Sequence, residues 1–307
     1  MSFKLNAYLP SKKQEVQINE LCYKQYRELV KSLHNTDKKS TVLQYNSILK
    51  DLCPDIINYD ITFEDKLSLL LTIRNYCVSP DLKLKCSLQD GSSYNFTVPI
   101  ENILSRVKNI NKSGTVSNTG ITVEYSSYKV RDECVFLSNN KDTFVELASI
   151  IDNIKTNKQT VLFKDLTLDG RIEIIQTLPL SVVKAVLESI EQGNQMYNRA
   201  ELILIKNPNN GDTILDLNCN ITFEALQKIV EFLYAESLNN IYKTLYNVVK
   251  YLKFSAEYAD SITPIELQVY WMYFMQDSAK QQEQSNNVKS DGGFSMPNST
   301  PNSELGF

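Results

Sequence analysis

The sequence predicts an α+β fold, mostly helical with short antiparallel β-hairpins, on three observations. Apolar residues recur at three- and four-residue spacing through most of the longer segments, as amphipathic helices require. Short stretches alternating at a period of two stand in pairs around polar or glycine turns, as hairpins require. The order helix, hairpin, helix recurs, turning at Gly91 in the first half and at Gly211 in the second. Two similar helix–hairpin–helix halves follow from that order. Residue identity between them is slight, so the reading is a weak duplication and not a repeat array.

In chain order, "FKLNAYLP" and "QEVQINEL" form a hairpin joined by "SKK". Two helices follow, one placing Leu21, Tyr26, Leu29, Val30 and Leu33 on a face, the next Val42, Leu43, Ile48, Leu49 and Leu52. A third begins at Thr62 as N-cap, with Asp65 three residues on as the partner of a capping box, and its nearly all-round apolar run makes it central. "LKLKC" and "YNFTV" alternate around "QDGSS", a hairpin, and Pro99 suits the first turn of the short helix after it. The Ser/Thr/Asn/Gly-rich stretch to Phe136 reads as extended structure. Beyond it, "DTFVELASIIDNI" and "SVVKAVLESIEQGNQMY" read as helices, "ELILIKNPNNGDTILDL" as a hairpin, and "TFEALQKIVEFLY" and "LNNIYKTLYNVVKYLKF" as helices. The last helix has strong entry chemistry: Thr263 as cap, Pro264 in the first turn, Glu266 at the third position. The expected organisation is an N-terminal α+β domain over 1–108, an extended β-rich linker or insertion over 109–136, a C-terminal α+β domain over 137–278, and a flexible polar tail over 279–307.

A chain of 307 residues with 42% hydrophobic content buries a substantial core without crosslinks. Its 32 basic and 36 acidic residues give a net charge of -4 with no polybasic run, which argues against nucleic acid or anionic lipid as a partner. Six cysteines, at 22, 53, 77, 86, 134 and 219, never approach metal-knuckle spacing. With no signal-peptide pattern in "MSFKLNAYLPSKKQEV" and no apolar run of membrane length, the expectation is a reducing cytoplasm and free thiols, each favoured as a small buried hydrophobe.

Catalytic groups are sparse. The single histidine, His34, falls in a helix-end loop where it suits the helix dipole, and no phosphate-loop, nucleophile-elbow or metalloprotease motif occurs. Asp51 with Asp55, or Glu64 with Asp65, offer carboxylate pairs, but surface charge near helix ends is the simpler reading of both. Arg74, after "LLLTI", is expected to be structural, in an ion pair or a carbonyl clamp. The stripe "YWMYF" covers more than one helical face. Core packing is its first reading and a partner surface its second, which makes Tyr270, Trp271, Tyr273 and Phe274 the best interaction candidates.

Taken in order, Leu9-Pro10 with "VQINEL", then "DITFEDKLSLLLTIRNYCVSPDLKLKC", "DGRIEIIQTLPLSVVKAVLESI" and the Pro264-x-Glu266-x-x-x-Tyr270 ending resemble the T-even-type phage baseplate hub and hub-assembly protein family of contractile tails, across residues 3–278. Relatives in this group often carry Cys-x-x-Cys-Gly at the hairpin turns. Here Cys86 stands alone, and the turns at Gly91 and Gly211 keep only their glycine, so a metal is not carried over and no cofactor is expected. The resemblance implies a non-enzymatic subunit of the baseplate hub in the virion tail, put together in the host cytoplasm. Its implied partners are other baseplate hub, tape-measure or tail-tube proteins, with no nucleic acid and no membrane. A hub-assembly chaperone not retained in the virion, and a cytoplasmic carboxylate-based enzyme with an exchangeable metal, are the alternatives.

Overall fold

A computed structural model describes residues 4–58, 60–87, 91, 93–110, 113–136, 142–197, 201–206, 211, 213–218 and 223–289. The chain opens with the antiparallel hairpin β1 (Lys4–Leu9) and β2 (Gln14–Asn19), in register from Lys4 opposite Asn19 to Leu9 opposite Gln14. Helices α1 (Tyr23–Leu33), α2 (Lys38–Leu52) and α3 (Phe63–Ile73) follow, and α3 runs into a π-helical turn, Arg74–Val78. Hairpin β3 (Asp81–Ser87) and β4 (Ser93–Pro99) leads to α4 (Ile100–Lys108), with Gly91 at a positive φ of 83° in the connection. Pro99 is the N-cap of α4 and not a first-turn residue, because Ile100 is the first to take helical geometry.

Strands β5 (Gly114–Asn118) and β6 (Ile121–Tyr125) come next, then the short helix α5 (Glu133–Phe136) and α6 (Thr143–Ile150). The chain then makes β7 (Ile151–Lys155), β8 (Thr160–Leu162), α7 (Leu168–Gln176) and α8 (Leu180–Tyr197). The four strands form one antiparallel sheet in the order β5-β6-β7-β8. One departure from the sequence reading lies here: "DTFVELASIIDNI" is helical only through Ile150 and then turns into β7, while the stretch 109–136, expected to be extended and β-rich, supplies β5 and β6. The β-branched isoleucines suit a strand wherever a partner is at hand, and pairing with β6 supplies one.

The last part holds hairpin β9 (Glu201–Lys206) and β10 (Thr213–Asn218), then α9 (Phe223–Leu233) and α10 (Leu238–Asn247). A second π-helical turn, Val248–Leu252, ends at Lys253 with a φ of 61°. Helices α11 (Ala256–Ser261) and α12 (Pro264–Lys289) complete the chain. "LNNIYKTLYNVVKYLKF" is therefore not one regular helix, and α11 has no counterpart in the sequence reading. Residues 279–289, expected as tail, continue α12; residues 290–307 lie outside the described ones.

Buried side chains gather into two clusters. One joins residues between Ala7 and Ile110 with residues between Leu202 and Leu267; the other gathers Val123 to Val186 around the four-stranded sheet. The segment from β9 onward thus returns to pack with the first hundred residues. Helix α3 is the axis of the larger core: every residue from Phe63 to Ile73 is buried. On α2 the expected Val42, Ile48, Leu49 and Leu52 are buried together with Tyr45, whereas Leu43, expected on the same face, is 54% exposed.

Candidate partner-binding surface

The frame that fixes the candidate surface is polar as well as apolar. Thr62 and Asp65 form the expected capping box: the Thr62 N–H donates to Asp65 Oδ2 at 2.9 Å and the Asp65 N–H to Thr62 Oγ1 at 3.5 Å. Asp65 also accepts from the Ser11 N–H at 2.9 Å and from Ser11 Oγ at 2.5 Å, tying the β1–β2 turn to α3. Glu64 accepts from Ser127 Oγ at 2.5 Å. Neither acid is surface charge, as the sequence reading had it; both are buried and hydrogen-bonded, so α3 carries its acids inward. Asp51 and Asp55, the other pair, are exposed.

The segment from Ser126 to Glu133 runs between the two cores and binds both. Lys129 pairs with Asp152 at 2.7 Å and donates to Ser126 Oγ. Asp132 accepts both guanidinium nitrogens of Arg171, at 2.8 Å each, and Glu133 accepts Lys66 Nζ at 2.6 Å. These ion pairs are almost wholly buried, apart from the half-exposed Asp152. None of them was legible as a spacing, since their partners lie far apart in the chain.

Arg74 lies at the end of α3 with its guanidinium 5.9 Å from the Tyr234 ring, and its Nε has no hydrogen-bond partner among the described residues. Burial pushes its pKa down, against the pull of Tyr234, Tyr26 and Glu236. The cation thus stands over a ring where an ion pair or carbonyl clamp was anticipated. His34 ends α1, its Nε2 3.2 Å from the Glu236 carbonyl, on the rim of an open cavity of about 530 Å³ with Leu33, Glu231, Ala235, Glu236 and Ser237. Among the described residues, no group of three or more His, Cys, Asp or Glu is placed to hold a metal, and no helix is long and apolar enough to cross a membrane. Cys86 sits in β3 opposite Tyr94 by backbone register, and Cys219 lies outside the described residues. Cys53 and Cys77 are buried, whereas Cys22 and Cys134 are only partly so.

The entry to α12 is fixed as its residues suggest. Glu266 Oε2 accepts from the Thr263 N–H at 2.9 Å and from Thr263 Oγ1 at 3.0 Å, and Thr263 Oγ1 accepts the Glu266 N–H at 3.3 Å. Pro264 is in the first turn and Leu267 is wholly buried, anchoring the helix against the larger core. From there the aromatic stripe divides. Trp271 and Phe274 stack on each other at 5.4 Å and both meet Tyr251 at 6.0 Å, so they are half-buried against the second π-helical turn. Tyr270 meets Phe254 edge-on at 5.4 Å yet is 41% exposed, and Tyr273 is 57% exposed with no ring contact among the described residues.

Sequence reasoning named these four residues but missed their neighbours. Tyr246, Val249, Tyr251, Tyr258, Val269, Met272 and Met275 are exposed in the same part of the molecule. With Tyr270 and Tyr273 they leave aromatic and aliphatic side chains in the open on α12 and on the π-helical turn beside it. The overlooked signal was in α10 and its π turn, where apolar and aromatic residues occupy more positions than one buried face can use.

No curated protein and no solved structure matched the chain. The family model described as T4 bacteriophage base plate protein matches residues 1–209, which include α3, the four-stranded sheet and the segment between the cores; α12 lies beyond the match. With more than half of its length matched, the chain belongs to the T4 bacteriophage base plate protein family and is a T4-type phage baseplate protein with a structural role.

Proposed function

We propose that this baseplate protein is a non-enzymatic subunit of the baseplate hub of a contractile tail. It acts in tail and baseplate assembly through contacts with other hub, tape-measure or tail-tube proteins. The observation that carries the reading is the open aromatic surface of α12 and the adjoining π turn. Exposed aromatic and methionine side chains are enriched where one protein meets another. Family membership supplies the setting, a multi-subunit particle in which such a surface is covered.

The test has two parts. Mass spectrometry of purified virions is expected to find the chain in intact particles; its absence would remove the subunit reading and leave a transient assembly factor. A Met272→Ser, Tyr273→Ser variant is expected to fold normally and fail to enter particles, because both side chains are exposed. Normal incorporation of that variant would show that this surface does not dock the chain in the particle.

A further inference from the structure

The hairpin of β3 and β4 leaves one strand edge open. It is a two-stranded sheet, paired without a bulge from Asp81 opposite Pro99 to Ser87 opposite Ser93. In an antiparallel pair the hydrogen-bonded positions alternate along each strand. The Ile100 N–H donates to the Pro80 carbonyl at 2.8 Å, which fixes the phase: Leu82 with Val98, Leu84 with Phe96 and Cys86 with Tyr94 exchange the ladder bonds. The N–H and C=O groups of Ser93, Asn95 and Thr97 therefore point away from β3. Among the described residues these groups have no hydrogen-bond partner, and all three residues are exposed. The opposite edge is closed at one end and charged along the rest. The Asp81 N–H donates to Ser79 Oγ at 3.2 Å and the Ser79 hydroxyl donates to the Asp81 carbonyl at 2.9 Å, and exposed Lys83 and Lys85 follow. Charge, proline, bulges and shortness are what keep an edge from pairing. β4, "SYNFTVP", has no charge and no bulge, and its proline stands at the last position.

We infer that the open edge of β4 receives an extended strand of a partner protein, which joins the hairpin through its backbone. A row of free N–H and C=O groups at strand spacing selects another extended backbone, since that alone repeats donors and acceptors at the same interval. The pleat sets the side chains of the incoming strand. Phe96 and Val98 pack against the larger core, with the Tyr94 ring 6.3 Å from Phe96 on the same side. The partner strand therefore carries β-branched or aromatic residues toward that side and polar residues beside Asn95 and Thr97. A second copy of β4 fits poorly. Paired antiparallel, both copies would turn Phe96 and Val98 to one side of the joint sheet, and two whole bodies would have to stand under strands about 4.8 Å apart. The inference shares with the docking role proposed above the premise of a protein partner, and it does not use the surface of α12.

Proline at an outward-facing position removes an edge N–H and leaves the ladder to β3 intact. In the full chain, Asn95→Pro and Thr97→Pro are each expected to fold, with a cooperative urea transition. Supplied to a phage lacking this gene, they are expected to lower the yield of complete tails about tenfold or more, because the partner strand loses a ladder bond and keeps an unpaired acceptor. Thr97→Ala, which retains the N–H, should give the parental yield. Hydrogen exchange of the free chain should be fast at the Asn95 and Thr97 amides and slow at Phe96 and Val98. Parental yield from both proline variants, an equal loss in Thr97→Ala, or protected Asn95 and Thr97 amides in the free chain would each overturn the inference. So would failure of both proline variants to fold, which would mean that these N–H groups are used within the chain. A dimer in sedimentation that Thr97→Pro dissolves would give the edge to a second copy and overturn it as well. If Met272→Ser, Tyr273→Ser is kept out of particles while both proline variants give parental yield, the α12 surface stands and the strand falls; the reverse result keeps the strand and removes the α12 surface.

Discussion

Asp132 is the most informative single residue to remove. Its carboxylate receives Arg171 Nη1 and Nη2 at 2.8 Å each and Ser149 Oγ at 2.9 Å, and the two charged side chains are 3% and 6% exposed. In Asp132→Ala the guanidinium keeps the Ala148 carbonyl at 2.8 Å and a long contact to the Thr167 carbonyl at 3.4 Å, but no counter-charge at its fork. An uncompensated buried charge of this kind costs about 3–5 kcal/mol. Against a total stability of about 5–15 kcal/mol for a domain, that is a large loss. Replacing both partners, Asp132→Leu with Arg171→Met, removes the charges together and should cost no more than about 1–2 kcal/mol, mainly for the unpaired Ser149 hydroxyl. Urea denaturation of Asp132→Leu, Arg171→Met and the double variant, analysed as a double-mutant cycle, measures the coupling. If each single variant costs less than about 1 kcal/mol, or the double variant costs the sum of the two, then the segment between the cores is not held by this pair and the account of it is wrong.

Two further perturbations test separate parts of the frame. A Cβ added in Gly114→Ala would overlap the Tyr125 phenol, which is buried and bonded to Ser189 Oγ at 2.6 Å, so the sheet-to-α8 contact must break; we expect a loss of about 1–3 kcal/mol in thermal or urea unfolding, with Gly193→Ala as a control that meets open space. Cys77 is buried beside the Leu21 N–H, and burial pushes its thiol from 9.0 up to about 11. The folded chain therefore holds that proton where the unfolded chain has lost it, so this contribution to stability is complete below about pH 9 and is lost as pH rises to about 11. Cys77→Ala should flatten the stability profile over that window, and Cys77 should resist a thiol reagent at pH 8 until the chain is unfolded.

Local rules carried the sequence reading wherever one element decided its own form. The capping boxes at Thr62 and Thr263 were legible because three residues of the chain build each one. The hairpins around Gly91 and Gly211 were legible for a related reason: both glycines take a positive φ, a conformation other residues resist, and alternating strands flank them. What failed were decisions made by distant partners. Ile151 and Ile154 became strand because β6 was available to pair, and Glu64 became buried because Ser127 was waiting for it. A charge in the first turn of a helix reads as solvated unless its partner is known, and that partner stood about sixty residues away.

The candidate surface shows the same limit from the opposite side. The stripe at Tyr270 to Phe274 is apolar on more than one face, which the sequence displays, but which face the body covers depends on where the chain turns after α10. The π-helical turn at Val248–Leu252 adds a residue to that turn of helix and delivers Tyr251 to Trp271 and Phe274. Once those two rings are occupied, Tyr273 and Met272 point outward because the helix period leaves them nowhere else to go. Their exposure is thus a consequence of the packing that anchors α12 at Leu267 and Trp271.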